Sequence, residues 1–189
     1  EAVPVGKGSM LAILGAKIKD ISDLLNSFKE KGVCEIANDN ADGQVIVSGD
    51  KDSIVSFQSL LKKKKIKSIP LKVSAPFHCS LMKSAADKMS YKIKNTNFRS
   101  PTHSILSNVT AKIEKNPENI KKLLIDQIFS TVKWRETIIN ISNEGVSNFV
   151  EIGPGKVLTG MVKRTVKNVN CFSINSIDDI KNLKNEFNK

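Results

Sequence analysis

The order of apolar patterns over residues 8–73 constrains this chain more than any single residue does. Met10 to Leu14 reads as a strand, and Ile21, Leu24, Leu25 and Phe28 then recur at helical spacing up to a stop near Gly32. Val33 to Ala37 and Gln44 to Ser48 read as two strands joined through an Asn/Asp/Gly-rich turn. A second helix starts at Asp50 to Ser53 and buries Ile54, Phe57 and Leu61, and Ile66 to Val73 supplies a last strand. The resulting order, βαββαβ, predicts a ferredoxin-like subdomain over 8–73, with residues 1–7 as a connector leading into it. Such a fold is shared by many activities and specifies none.

Beyond Val73 the pattern changes. Leu81, Met82, Ala85, Ala86, Met89 and Ile93 mark a helix, and Pro101 to Asn108 is extended. Asn116-Pro117 leads into a helix expected over 118–129, since proline is tolerated in a first helical turn. Ile120, Leu123, Leu124 and Ile128 form its apolar stripe, and Gln127 falls inside it. A polar amide there must find partners or cost about 1–3 kcal/mol. A further helix over 134–141 closes at Gly145, and strands at 149–152 and 169–174 alternate with helices at 157–166 and 177–187. Alternation of this kind predicts a parallel sheet covered on both sides, an α/β arrangement over residues 74–189.

Composition excludes several classes. The chain has 189 residues, enough for a core of its own, and 40% of them are hydrophobic, an ordinary value for a globular protein. No apolar run approaches the length of a membrane span, and the first residues lack a basic-then-apolar signal. The formal charge of +11 invites an acidic partner, most visibly at Lys62 to Lys65. Only three of the thirty basic residues are Arg, aromatics are few and no nucleic-acid motif is present, so DNA or RNA is not expected as a partner. The Lys run also reads simply as a solvated helix end. Cys34, Cys79 and Cys171 are far apart and odd in number, which fits free thiols in a reducing compartment and predicts a cytoplasmic protein.

Two features could carry chemistry. His78 lies in Val73-Ser-Ala-Pro-Phe-His-Cys-Ser-Leu-Met82, between an apolar strand and a helix start, where Pro76 restricts the backbone. It is a candidate general base, or else a satisfied histidine at a helix cap. Cys79 beside it reads as packing, because no second ligand pair stands at a metal-binding spacing. Gly155-Lys156 lacks the earlier glycine and the Ser or Thr of a phosphate loop, and reads as a strand-to-helix turn.

Four separated stretches add a resemblance. Ser74 to Met82, Asn40-Ala-Asp-Gly-Gln-Val-Ile-Val-Ser-Gly49, Val132-Lys-Trp134 and Glu151-Ile-Gly-Pro-Gly-Lys-Val-Leu-Thr-Gly160 together resemble the malonyl-CoA:acyl carrier protein transacylase family of fatty acid synthesis. They occur in the family's order and cover essentially the whole chain.

The resemblance implies an α/β-hydrolase-like core beside the small subdomain, and a malonyl group passed between thioesters through an ester on a serine. It also implies that the serine, the loop contributing to the oxyanion hole and the arginine that grips the malonyl carboxylate lie upstream of this segment. The sequence contains no Gly-x-Ser-x-Gly elbow, so the chain is expected to be the C-terminal part of the enzyme and inactive alone. His78 is implied as the base, and Gln127 as the residue whose main-chain carbonyl orients it. Phe77 resembles the ring that crowds out an α-methyl group in malonyl-selective members. Asn40 and Gln44 match the border of the acyl and pantetheine channel, although Asp42 stands where a proline is usual. The implied partners are malonyl-CoA and the acyl carrier protein, whose phosphopantetheine arm is the acceptor, with no cofactor or metal and a monomer when complete. The alternative is a non-catalytic domain of the same fold that binds the carrier or serves as a scaffold.

Overall fold

Alternation along the first strand decides the architecture around it. In the computed structural model, which describes residues 3–187, β1 (Gly8–Leu14) is central in a four-stranded sheet of order β2-β3-β1-β4. Its neighbours are β2 (Cys34–Ala41), β3 (Gln44–Asp50) and β4 (Lys67–Pro70), and every pairing is antiparallel. Leu11 faces Val47 and Ile13 faces Val45 across β1 and β3, so one face of the sheet is apolar. Onto it pack α1 (Ile18–Ser27) through Ile21 and α2 (Lys51–Lys63) through Ile54, Phe57 and Leu61. Phe28 meets Phe57 edge-on, with ring centroids 5.1 Å apart. Met10, Ala12 and Ser48 are buried as well, so the second face of the sheet is also covered.

The turn between β2 and β3 is shorter than the Asn/Asp-rich composition predicts. It consists of Asp42-Gly43, with Gly43 at φ +73°, and β2 runs on to Ala41 through two irregularities of register. Bulges let a strand absorb an extra residue without ending it. The expected strand over 66–73 shrinks to the four residues Lys67–Pro70, followed by one further bond from the Leu71 amide to the Met10 carbonyl at 3.0 Å.

By their contacts the residues fall into two compact units, Glu1–Thr137 and Ile138–Lys189. The first continues past the sheet with a 3₁₀ turn at Ser80–Met82, α3 (Lys83–Asn95), a two-stranded hairpin of β5 (Ile105–Leu106) and β6 (Ile113–Glu114), and α4 (Pro117–Asp126). Asn116 caps α4 by accepting from the Glu118 and Asn119 amides at 2.9 and 3.1 Å, and Pro117 opens it. The helix stops at Asp126, three residues earlier than expected, which leaves Gln127 as its C-cap. α5 (Trp134–Asn143) leads into the second unit, where β7 (Asn148–Ile152) and β8 (Asn170–Ile174) pair in parallel. α6 (Val157–Thr165) joins them, and α7 (Ile177–Phe187) follows. Among the described residues, parallel pairing within named strands is limited to these two, a smaller sheet than the alternation after Val73 predicts.

Candidate functional site

The site is built on the turn between β4 and α3. Pro76 and Cys79 are buried, whereas Phe77 is 39% exposed and His78 is half-buried, so two side chains pin the turn and the two between them are presented. The Cys79 thiol donates to the Pro76 carbonyl at 3.1 Å, and burial pushes its pKa up. A thiol held protonated in this way is a packing group and a poor nucleophile. Pro76 lies so close to Gly8 that a side chain at position 8 would begin 2.4 Å from its ring. Two residues past the histidine, the Ser80 amide and hydroxyl both donate to the Glu35 carboxylate of β2, at 2.8 and 2.7 Å.

Held from both sides, His78 adopts φ +60°, a left-handed conformation that costs a non-glycine residue about 1–3 kcal/mol. Its ring is fixed by a second element. Nδ1 lies 2.8 Å from the main-chain carbonyl oxygen of Gln127. A carbonyl can only accept, so Nδ1 carries the proton and the Nε2 lone pair is left for other work. That carbonyl is available because α4 ends there: the last carbonyls of a helix have no intrahelical amide to satisfy.

The side chain of Gln127 is engaged too. Asn108 Nδ2 donates to Gln127 Oε1 at 3.2 Å, and the Asn108 carbonyl accepts from the Lys133 amide at 2.8 Å. Residues 131–135 in turn lie along β2: Asn38 and Val132 form a parallel bridge, and Thr131 Oγ1 donates to the Ile36 carbonyl at 2.6 Å. Arg135 then meets the buried Asp39 carboxylate through Nε at 3.0 Å and Nη2 at 2.9 Å, a pairing that raises the Arg135 pKa.

The structure thus brings together His78, Gln127 and, as the histidine's neighbour, Phe77. Asn40 and Gln44 sit at the hairpin end of β2 and β3: Asn40 is buried and is the extra residue of a bulge, and Gln44 pairs with Ala41 and with Leu14 of β1. Lys62 and Lys63 form the last turn of α2, where cations complement the helix dipole, and Lys62, Lys65 and Lys67 line an open groove with Gln58 and Ser59. Glu35, Asn108, Asp39 and Arg135 are the residues that the sequence pattern did not single out. For Asn108 a signal existed, since the Gln127 amide, which falls in the apolar stripe of the helix expected over 118–129, demanded a partner.

Among the described residues no three His, Cys, Asp or Glu side chains are grouped to hold a metal ion, and no helix is long and apolar enough to cross a membrane. What this geometry offers is proton relay: an imidazole with one nitrogen clamped and the other free, on a mixed α/β fold. The chain belongs to the acyl transferase domain family, whose model matches residues 7–186. It is 37% identical over 178 residues to the malonyl CoA-acyl carrier protein transacylase of Haemophilus influenzae, covering 94% of this chain and 57% of that protein. It is 36% identical over 182 residues to the protein of the same name from Bacillus subtilis, covering 95% and 57%. The fold is similar to solved malonyltransferases. The acyl carrier protein S-malonyltransferase of Vibrio cholerae superposes with a TM-score of 0.93 at 36% identity, over 97% of this chain and 60% of that one. A malonyl-transacylase solved in complex with a type II polyketide acyl-carrier protein gives 0.92 at 35% identity, over 97% and 60%. The chain therefore spans roughly three-fifths of the length of these relatives.

Proposed function

We propose that this chain is the C-terminal part of a malonyl-CoA:acyl carrier protein transacylase, in which His78 is the general base. The observation that carries the reading is the 2.8 Å contact between His78 Nδ1 and the Gln127 carbonyl. With Nδ1–H committed to that carbonyl, Nε2 takes the proton of a serine hydroxyl as it attacks the malonyl thioester, and returns a proton to the departing coenzyme A sulfur. The serine is assigned to the part of the longer relatives that lies outside this chain. A neutral carbonyl fixes the ring's tautomer in the place of the carboxylate of a Ser-His-Asp triad.

The acceptor in the second half-reaction is the phosphopantetheine thiol of the acyl carrier protein, and the same imidazole serves it in reverse. Phe77, exposed beside the base, suits the role of crowding an α-methyl group, which is worth about 1–3 kcal/mol against branched substrates. Asn40 and Gln44 are assigned to the border of the acyl and pantetheine channel. In fold terms, residues 8–73 form a ferredoxin-like subdomain after a connector at 1–7, a classification supported by the 2-3-1-4 antiparallel order with two helices on one face. Residues 74–189 are assigned to an α/β-hydrolase-like core, within a cytoplasmic monomer.

The test is made in the full-length protein that contains this segment. Incubated with malonyl-CoA, it should form a malonyl ester released by hydroxylamine, and His78→Ala should lower transfer on the order of 10⁴-fold or more. A domain that binds the carrier without chemistry would form no ester and keep its binding unchanged after the substitution.

A further inference from the structure

The carbonyl that orients His78 belongs to a residue at a helix end, where the helical ladder gives way to two turn bonds of 3.2 Å, from the Ile128 amide to the Ile125 carbonyl and from the Phe129 amide to the Asp126 carbonyl. Gln127 N still donates to the Leu123 carbonyl at 2.9 Å, but the chain leaves α4 at this point and turns toward Thr131. A side-chain hold can add to these bonds in setting the direction of the carbonyl. Asn108 is placed to do so. Its carboxamide donates to Gln127 Oε1 at 3.2 Å, while its own main chain is tied to Lys133 at 2.8 Å. The turn that carries it is stiff: the Ala111 amide donates to the Ser107 carbonyl at 2.8 Å, the Ser107 amide to the Lys112 carbonyl at 3.1 Å, and the Val109 amide to Ser107 Oγ at 3.2 Å. Ala111 in that turn is buried and adopts φ +54°.

From this geometry we propose that Asn108 is a positioning residue for the acyl transfer: by gripping the Gln127 side chain it holds the Gln127 carbonyl at the hydrogen-bonding distance that selects the Nδ1–H tautomer of His78. The inference rests on the reading of His78 as the base. Asn108 touches no reacting atom and acts only through Gln127. The route runs from the edge of β2, through Val132 and Lys133, to Asn108, then Gln127 and the imidazole. It links the antiparallel sheet to the orientation of the base without any contact to substrate.

The experiment is a double-mutant cycle in the full-length protein that contains this segment, with Asn108→Ala, Gln127→Ala and the pair, read in two ways. Kinetically, each single substitution should lower kcat by roughly 10- to 100-fold with the KM for malonyl-CoA little changed, the cost of a base loosened from its productive geometry. The pair should lose no more than either alone, because the two act as one unit. Asn108→Asp should recover most of the rate, since the Gln127 amide can turn over and donate to the carboxylate. By ¹⁵N–¹H correlation of the imidazole, the wild type should show Nδ1 protonated, and Asn108→Ala should raise the share of the Nε2–H form.

Additive losses in the cycle, or an unchanged tautomer in Asn108→Ala, would overturn the proposal. If Asn108→Ala fails to fold, the same two readouts on Asn108→Asp and Gln127→Ala decide it: a tautomer unmoved by Gln127→Ala overturns it. The underlying reading fails separately. Were His78→Ala fully active, the base assignment would fall while the tautomer measurement still reported whether Asn108 governs the ring.

Discussion

The two compact units bury their apolar residues to very different degrees. In the first, nine residues from β1, β3, α1, α2 and the β1–α1 connection form one core that is almost wholly out of water. In the second, among the described residues, only Ile138, Met161 and Val162 are buried hydrophobics, while Ile152 is 80% exposed and Val157, Ile177 and Ile180 are more than half exposed. The cause is topological. An antiparallel sheet that grows by a hairpin and two helical crossovers can close over its own helices within about 60 residues, whereas a parallel pair needs cover on both faces and further strands at its edges. The lesson is that β7 and β8 carry the side chains of an interior strand without an interior, and that the stability of this chain is concentrated in the sheet that supports the histidine turn.

Substitutions of matched chemistry should break or sharpen this contrast. Phe57→Ala removes a fully buried ring at the centre of the first core and should cost about 3–5 kcal/mol. Ile152→Ala on β7 should stay within about 0.5 kcal/mol. Denaturant midpoints of the two variants measure the difference, and comparable losses would mean that the second unit is as well packed as the first. Next in size is Arg135→Ala. It strands the Asp39 carboxylate, whose side chain is only 5% exposed, and should cost about 3 kcal/mol through an uncompensated buried charge. Asp39→Asn with Arg135 intact should cost less, since a neutral amide can still accept from the guanidinium.

How far the sequence revealed this depends on the range of the interaction. Strands β1, β2 and β3 and helices α1 and α2 follow from period and punctuation, all local signals. The placing of Asn40 does not: its neighbourhood reads as a turn, and a bulge keeps it in the strand, an outcome decided by pairing with β3. The bridge from Asn38 to Val132 and the pair of Asp39 with Arg135 join residues nearly a hundred positions apart, and no periodicity encodes them. At the site, the residues offered His78 as a candidate base, and the resemblance supplied the Gln127 carbonyl that orients it. The residues supplied the question of what satisfies the Gln127 amide, and only the folded chain supplies Asn108 as the answer. The left-handed φ of His78 had no local signal either, because the turn is held by Pro76 against Gly8 and by Ser80 on Glu35, both far away in the chain.

Glycines give a smaller but sharper test of the same contrast. An alanine methyl at position 8 would begin 2.4 Å from two carbons of the buried Pro76 ring, so Gly8→Ala must displace the turn that carries His78. It should cost about 1–3 kcal/mol, the usual penalty of overpacking. In the full-length protein its effect on transfer rate should exceed its effect on stability. Gly160 lies inside α6 with nothing within 4 Å of where a methyl would stand. Gly160→Ala should therefore raise stability by up to about 1 kcal/mol, through helix propensity alone. A loss at both positions would show that α6 is packed more tightly than its surroundings indicate.

The smallest expected effect is in pH, where buried thiols respond in alkali and two carboxylates of the second unit respond in acid. In the first, burial pushes the Cys34 thiol from its ordinary 9.0 up to about 12. The unfolded chain then gives up that proton first as pH rises, so it binds fewer protons than the folded state between about 9 and 12, and stability falls across that window. Cys34→Ala should flatten the fall. In the second, amide hydrogen bonds lower the pKa of two carboxylates: Glu151 accepts from Thr159 and Leu158 at the start of α6, and Asp179 from Asn175 and Ser176 before α7. Both lie below their ordinary 4.5 and 3.8, so the unfolded chain takes up protons first on acidification, and the stability they add is lost as pH falls through that range. Amide resonances of Leu158, Thr159 and Ser176 should therefore shift and lose protection in acid while those of β1 and β3 hold, with alkali reversing the order around Cys34. Loss of β1 protection in acid ahead of α6 would mean that the weaker unit had been assigned to the wrong half of the chain.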